Sequence, residues 1–148
     1  MNKTTSSLAA ILLVFLFAAT SFAEQPSPAP EGTFSFVVLP DTQAYVSKDK
    51  AIYFESEVNW ILDNRKSQRI KFVSHVGDIV GTYESDAHWK VARKNMLRLL
   101  GQVPFGFSVG NHDMQSSGDS RKFQKAFPAS LFADSPWYGG QIKNLSLI

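Results

Sequence analysis

The 148 residues carry 15 lysines and arginines against 13 aspartates and glutamates, and a formal charge of +2 gives no electrostatic reason to expect nucleic acid as a partner. Cysteine is absent, which excludes a disulfide framework, a thiolate metal site, a cysteine nucleophile and a lipid-modified N-terminal cysteine. No repeat at solenoid spacing is visible, so the length suits one modest domain that relies on its packed core.

Lys3, the uncharged apolar run from Leu8 to Ala19 and the small residues of Ser21-Phe22-Ala23 predict a cleavable secretory signal over residues 1–23. The product is therefore expected to be exported, periplasmic or secreted. A stable membrane anchor is not expected, because the apolar run falls short of the roughly 20 residues that span a bilayer and no basic stop-transfer cluster follows it. Residues 24–32, with Pro26, Pro28 and Pro30, read as an extended linker, and the ordered domain (33–148) is expected to begin near Thr33.

The domain reads as strand, helix, strand, helix, strand, helix. Phe34 to Leu39 is the first apolar run. Ala51 to Asn64 then places Phe54, Val58, Ile61 and Leu62 at helical spacing, with Glu55, Glu57 and Asp63 free to face water. Ile70 to Val76 is the second run. Ser85 or Asp86 can cap a helix whose face is Trp89, Ala92, Met96 and Leu99 or Leu100, with Gly101 placed to end it and Lys90, Arg93, Lys94 and Arg98 expected on a solvated face. Phe105 to Val109 is the third run, and residues from Ser120 to Phe127 predict a short helix stopped by Pro128. Strands alternating with helices imply right-handed βαβ crossovers and a largely parallel sheet, an α/β fold. Leu145 to Ile148 looks like the opening of a further apolar strand.

Each of the three apolar runs ends in a polar residue beside a turn former: Pro40-Asp41, Gly77-Asp78 and Gly110-Asn111-His112-Asp113. Ligands of parallel sheets collect beyond the strand carboxyl ends, where Asp41, Asp78 and Asn111 would all lie. Hard oxygen donors at three strand tips, with a histidine beside the last, point to metal-assisted chemistry on an anionic substrate. Each residue also has a plain structural reading. Asp41 can form an Asx-turn, Gly77-Asp78 can be turn chemistry, Asn111 and Asp113 can cap a loop or the next helix, and His112 can be an exposed loop residue. His75, alternating with Val73 inside the second strand, reads as a hydrogen-bonded core histidine, and His88 as helix surface. Tyr45, Trp137 and Tyr138 read as core aromatics before cleft residues.

The order Asp41-Thr42-Gln43, Gly77-Asp78, Gly110-Asn111-His112-Asp113, each after an apolar strand and separated by a helix, resembles the calcineurin-like metallophosphoesterases, with a Leu-Pro-Asp-Thr-Gln form of the first motif. The resemblance runs from about Phe34 to Gly140 and implies the front part of an α/β/β/α sandwich that hydrolyses a phosphate ester with two divalent metal ions, Mn, Fe, Zn or similar. Two ions about 3.5–4 Å apart clamp a phosphoryl group and lower the pKa of a water between them, and they need an anionic ligand to offset their repulsion. By the resemblance Asp78 is that bridge, Asp41 and Gln43 belong to the first metal and Asn111 to the second. His112 would protonate the leaving group, with Asp113 fixing its ring.

The chain departs from the family's pattern in two places. Gln43 stands where histidine is usual, offering a neutral carbonyl oxygen. No histidine follows His112, so the later isolated histidine and Gly-His-x-His motif have no counterpart. The expectation is a truncated front part. The competing reading is a catalytically inactive fragment that retains weak metal or phosphate binding, or pairs with a complementary segment or another copy if the chain ends at Ile148. Other nucleophile and nucleotide-binding signatures are missing: Ser74 and Ser108 lack a Gly-x-Ser-x-Gly elbow, and there is no Walker loop and no Gly-x-Gly-x-x-Gly.

Overall fold

The three apolar runs form one parallel sheet in the order β1 (Ser35–Leu39), β2 (Ile70–His75), β3 (Phe105–Phe107). The computed structural model describes residues 25–138, 140–142 and 145–147, the last two segments through their backbone only; the signal expected over 1–23 lies outside them. Among the described residues no helix is long and apolar enough to cross a membrane. The fold is mixed α/β, as the alternation of patterns implies.

Helix α1 (Ala51–Asn64) forms where Phe54, Val58 and Ile61 recur at four and three residues, and those three side chains are buried. Helix α2 (Asp86–Met96) starts at the expected cap, with the His88 amide donating to Ser85 Oγ at 3.3 Å. Its buried stripe is Trp89, Ala92 and Met96. It tightens into a 3-10 turn over Leu97–Leu99 before Gly101 at φ +71° turns the chain away. Helix α3 (Arg121–Ala126) is shorter than expected and packs Phe123 against Trp89 and Phe107.

All three helices contribute to one core on a single face of the sheet, where Leu39, Val73, His75 and Phe105 are buried. The opposite face is different. Phe34, Phe36 and Val38 are each about 60% exposed, and Val76 and Val109 are also open, so β1 alternates between buried and exposed positions. A parallel sheet is normally covered on both sides, and among the described residues this one is covered on one. The strand expected at Leu145 is present as β5 (Leu145–Leu147), but it pairs antiparallel with β4 (Gly140–Ile142) in a separate two-stranded sheet.

Two expectations gain detail from the structure. Residues 25–30, expected as an extended linker, form no helix or strand, but they are tied to the domain rather than loose: the Ala29 amide donates to Ser67 O at 2.9 Å, and Gln68 Nε2 donates to Ser27 O at 2.9 Å. Prolines lack an N–H but keep their carbonyls, and the turn between α1 and β2 supplies the other half of these bonds. Nor is the basic face of α2 simply solvated. Arg93 Nη1 donates to Ala126 O in α3, and Arg98 Nη2 donates to Asn59 Oδ1 in α1 at 2.5 Å.

Candidate functional site

Strand register sets the site. Leu39 pairs with His75 and His75 with Phe107, so the three strands end level, and the loops bearing Asp41, Asp78 and Asn111 leave the same edge. All six candidates from the sequence, Asp41, Gln43, Asp78, Asn111, His112 and Asp113, therefore sit at one end of the sheet.

The first loop opens with an Asx-turn. The Gln43 amide donates to Asp41 Oδ1 at 2.9 Å, and Gln43 Nε2 donates to Asp41 Oδ2 at 2.7 Å. With its nitrogen on Asp41, the carboxamide of Gln43 has its carbonyl oxygen left as a donor to a cation. Thr42 between them is buried and does different work. The Gly77 amide donates to His75 Nδ1 at 3.2 Å, so that nitrogen is unprotonated and Nε2 carries the hydrogen, which it gives to Thr42 Oγ1 at 3.0 Å. Thr42 in turn donates to Ile79 O at 3.1 Å. This relay ties the tips of β1 and β2 together and requires a neutral imidazole.

Burial pushes the His75 pKa down from 6.5 to about 4, against the opposing pull of the Asp41 and Asp78 carboxylates. Both acids thus lie near the same ring. An unfolded chain binds the proton near pH 6.5 and the folded one only near 4, so stability is full above 6.5 and falls as the pH drops between those values, by about 3 kcal/mol in all. Urea midpoints at pH 7 and about pH 4.5 should show this loss, and His75→Asn should flatten it. Asp113 has the opposite sign. Burial raises its pKa above 3.8, so its contribution favours folding as the pH falls through that raised value.

The second and third loops are built against each other. Gly77 has φ +105° and Asp78 φ +49°, a left-handed conformation that costs an ordinary side chain and is tolerated best by Asp and Asn. Asp78 Oδ1 accepts from the His112 amide at 2.8 Å. A β-carbon on Gly110 would lie 2.1 Å from both the amide nitrogen and Oδ1 of Asp78, and one on Gly77 would lie 2.7 Å from the Gly110 nitrogen. The Gly-Asp and Gly-Asn-His-Asp turns meet backbone to backbone, which explains the glycine that opens each.

Asp113 does not fix the His112 ring as expected. It is fully buried: Oδ1 accepts from the amides of Ile79 (2.9 Å) and Val80 (3.1 Å), and Oδ2 accepts from the amide of Gly110 (3.0 Å). Three backbone donors leave both oxygens engaged. Its job is to clamp the second loop to the third. His112 is oriented instead by Gly81, whose carbonyl accepts from Nδ1 at 3.0 Å. Because a carbonyl only accepts, Nδ1 carries a hydrogen and Nε2 is the nitrogen left to work. Gly81 gave no signal in the sequence. A β-carbon there would come within 2.9 Å of Gln43 O and 3.6 Å of His88 Nδ1, so His88 is half-buried against this loop rather than a surface residue. Tyr45 and Tyr138 are partly buried against the core, their rings tilted toward Tyr53 and Phe132 at 5.6 and 6.3 Å.

Asp41, Gln43 and Asn111 reach the outside of this scaffold, Asp41 and Asn111 being exposed and Gln43 half-buried. Among the described residues no three His, Cys, Asp or Glu side chains are arranged to hold a metal ion. The donors at this edge are two carboxylates and two carboxamides. Asp78 keeps Oδ2 beside its one accepted bond, and oxygen donors of these kinds are the ones a hard divalent ion takes.

No family model matches the chain, and no solved structure matches it. Over 119 residues it is 37% identical to YvnB, an uncharacterized protein of Bacillus subtilis (strain 168). The aligned stretch is 79% of this chain and 9% of YvnB, so the chain spans only a small part of that relative's length.

Proposed function

We propose that this chain carries the front part of a two-metal phosphoesterase site, within an α/β/β/α sandwich of an exported protein of the calcineurin-like type. The observation that carries the reading is the convergence of Asp41, Asp78 and Asn111 on the level ends of three adjacent parallel strands, with Asp78 held left-handed against the His112 amide. The open apolar face of Phe36 and Val38 suits the second sheet of such a sandwich.

Divalent ions at this edge would supply Lewis-acid stabilisation and an acidified water. Asp41 with the Gln43 carbonyl, Asp78, and the Asn111 carboxamide are the groups that would hold them. His112, with Nδ1–H on Gly81, presents Nε2, and in the doubly protonated, cationic ring Nε2 would give its hydrogen to a departing ester oxygen, leaving the neutral Nδ1–H imidazole. Asp113 and the His75–Thr42 relay keep these loops in place and touch no substrate.

A second reading is weak metal or phosphate binding without turnover, held by the strand-end donors with no three-ligand cluster among the described residues. Mn²⁺-dependent hydrolysis of aryl and alkyl phosphate esters by the purified protein separates the two, with metal content measured alongside. Turnover is expected, reduced by about 100-fold or more in Asp78→Asn together with loss of metal. In His112→Ala, turnover of the alkyl ester should drop by about 10²-fold or more with metal retained. Metal uptake without turnover would support the binding reading, and uptake of neither metal nor phosphate would sink both.

A further inference from the structure

A cleft of about 510 Å³ runs between α2 and α3, away from the residues assigned above. Trp89 and Ala126 form its floor. Its walls are two rows of cations, Lys90 and Arg93 on α2, Lys122 and Lys125 on α3. Within each row the residues are three apart, so they lie on one helical face about 4.5 Å apart along the axis. Asp86 is the single acid in the lining.

Local pairing uses only part of this charge. Lys122 Nζ reaches Asp86 Oδ1 at 3.1 Å and Glu84 Oε2 at 3.3 Å. Arg93 ties its base by donating to Ala126 O. Lys90 and Lys125 form no ion pair among the described residues. Two facing rows match an extended anion better than a single point charge. The cleft is also joined to the candidate site. Gln115, three residues after His112, donates to Glu84 Oε1 at 3.0 Å, and the chain from Gly81, which holds the His112 ring, leads through Tyr83 and Glu84 into α2.

We infer that this cleft binds a phosphate polymer, holding its chain while one of its phosphorus–oxygen linkages lies at the strand ends. The substrate part of this inference rests on the phosphoesterase reading; the binding part does not. A chain of phosphates places repeated negative charges along both cation rows, and its affinity should fall steeply with salt as counterions are released.

The test is binding of fluorescently labelled inorganic polyphosphate to the full 148-residue protein without added metal, at about 50 and about 200 mM salt. Lys90→Glu/Lys125→Glu should weaken binding at least about tenfold at the lower salt, while Lys48→Glu/Lys71→Glu, which reverses the same number of exposed charges elsewhere, should leave it within about twofold. Melting curves monitor folding of each variant, and Lys125→Gln, expected to show a smaller loss in the same direction, serves if the double variant does not fold. The inference is overturned if polyphosphate does not bind or if both double variants weaken it equally. It also fails if poly-glutamate binds as well as polyphosphate, which would mark an acidic polypeptide as the partner. Binding that survives in a protein with no phosphoesterase turnover would leave the cleft intact and remove only its substrate role.

Discussion

Gly110→Ala is expected to destabilise the protein by about 3 kcal/mol or more and to abolish the arrangement of the candidate site. The new methyl would sit 2.1 Å from the amide nitrogen and from Oδ1 of Asp78, where no side-chain rotation relieves the contact with the backbone atom. Either the Gly-Asp turn or the Asn-His-Asp turn must move, and both His112 and Asp78 move with it because they are bonded to each other. Gly118→Ala is the informative control. Gly118 has φ +82° with nothing within 4 Å, so alanine there meets only the left-handed backbone penalty, about 1 kcal/mol. Gly110, at φ −86°, has no such conformational need, and its cost is entirely close approach. Urea unfolding of the two variants measures the difference. Equal small losses would mean that the two turns do not meet as described.

Asp113→Ala should cost about 3–5 kcal/mol, because it strands the buried amides of Ile79, Val80 and Gly110 at once. Asp113→Asn should cost less, about 1–2 kcal/mol: the carbonyl oxygen can still serve two donors, but the amide nitrogen is set against the third. The order Ala worse than Asn distinguishes a clamp from a partner of the His112 ring. If Asp113 oriented that ring, Asn would preserve stability and change the pH profile of turnover. With the ring bound to Gly81, Asn should change stability and leave the turnover profile unmoved. A melting temperature unchanged in Asp113→Ala would refute the clamp.

Much of the scaffold was legible along the chain because its causes are local. Phe54, Val58 and Ile61 give the buried apolar stripe of α1, Ser85 caps α2 through its own first turn, and three apolar runs ending in polar turns announce a parallel sheet with those polar residues at the strand tips. His75 was readable as a core histidine from its alternation with Val73, and the structure adds the partners that make it neutral. The third strand was read too long. After Phe107 the Ser108 amide still bonds His75 O, but the chain then leaves the sheet to bring Gly110 onto Asp78.

Other features depend on backbone groups far away in sequence, which no local pattern encodes. Asp113 finds its donors 33 and 34 residues upstream, His112 finds Gly81 31 residues back, and residues 26–29 are held by a turn about forty residues on. The cationic cleft likewise has no local signal, because Lys90 and Lys125 come to line one cleft only when α2 packs on α3. Sequence by itself determined the element types, the α/β class and the set of residues at the strand ends, since periodicity and turn chemistry act over a few residues. Only the tertiary structure decided which carboxylate clamps and which faces outward, because that choice lies in which distant amides each oxygen meets.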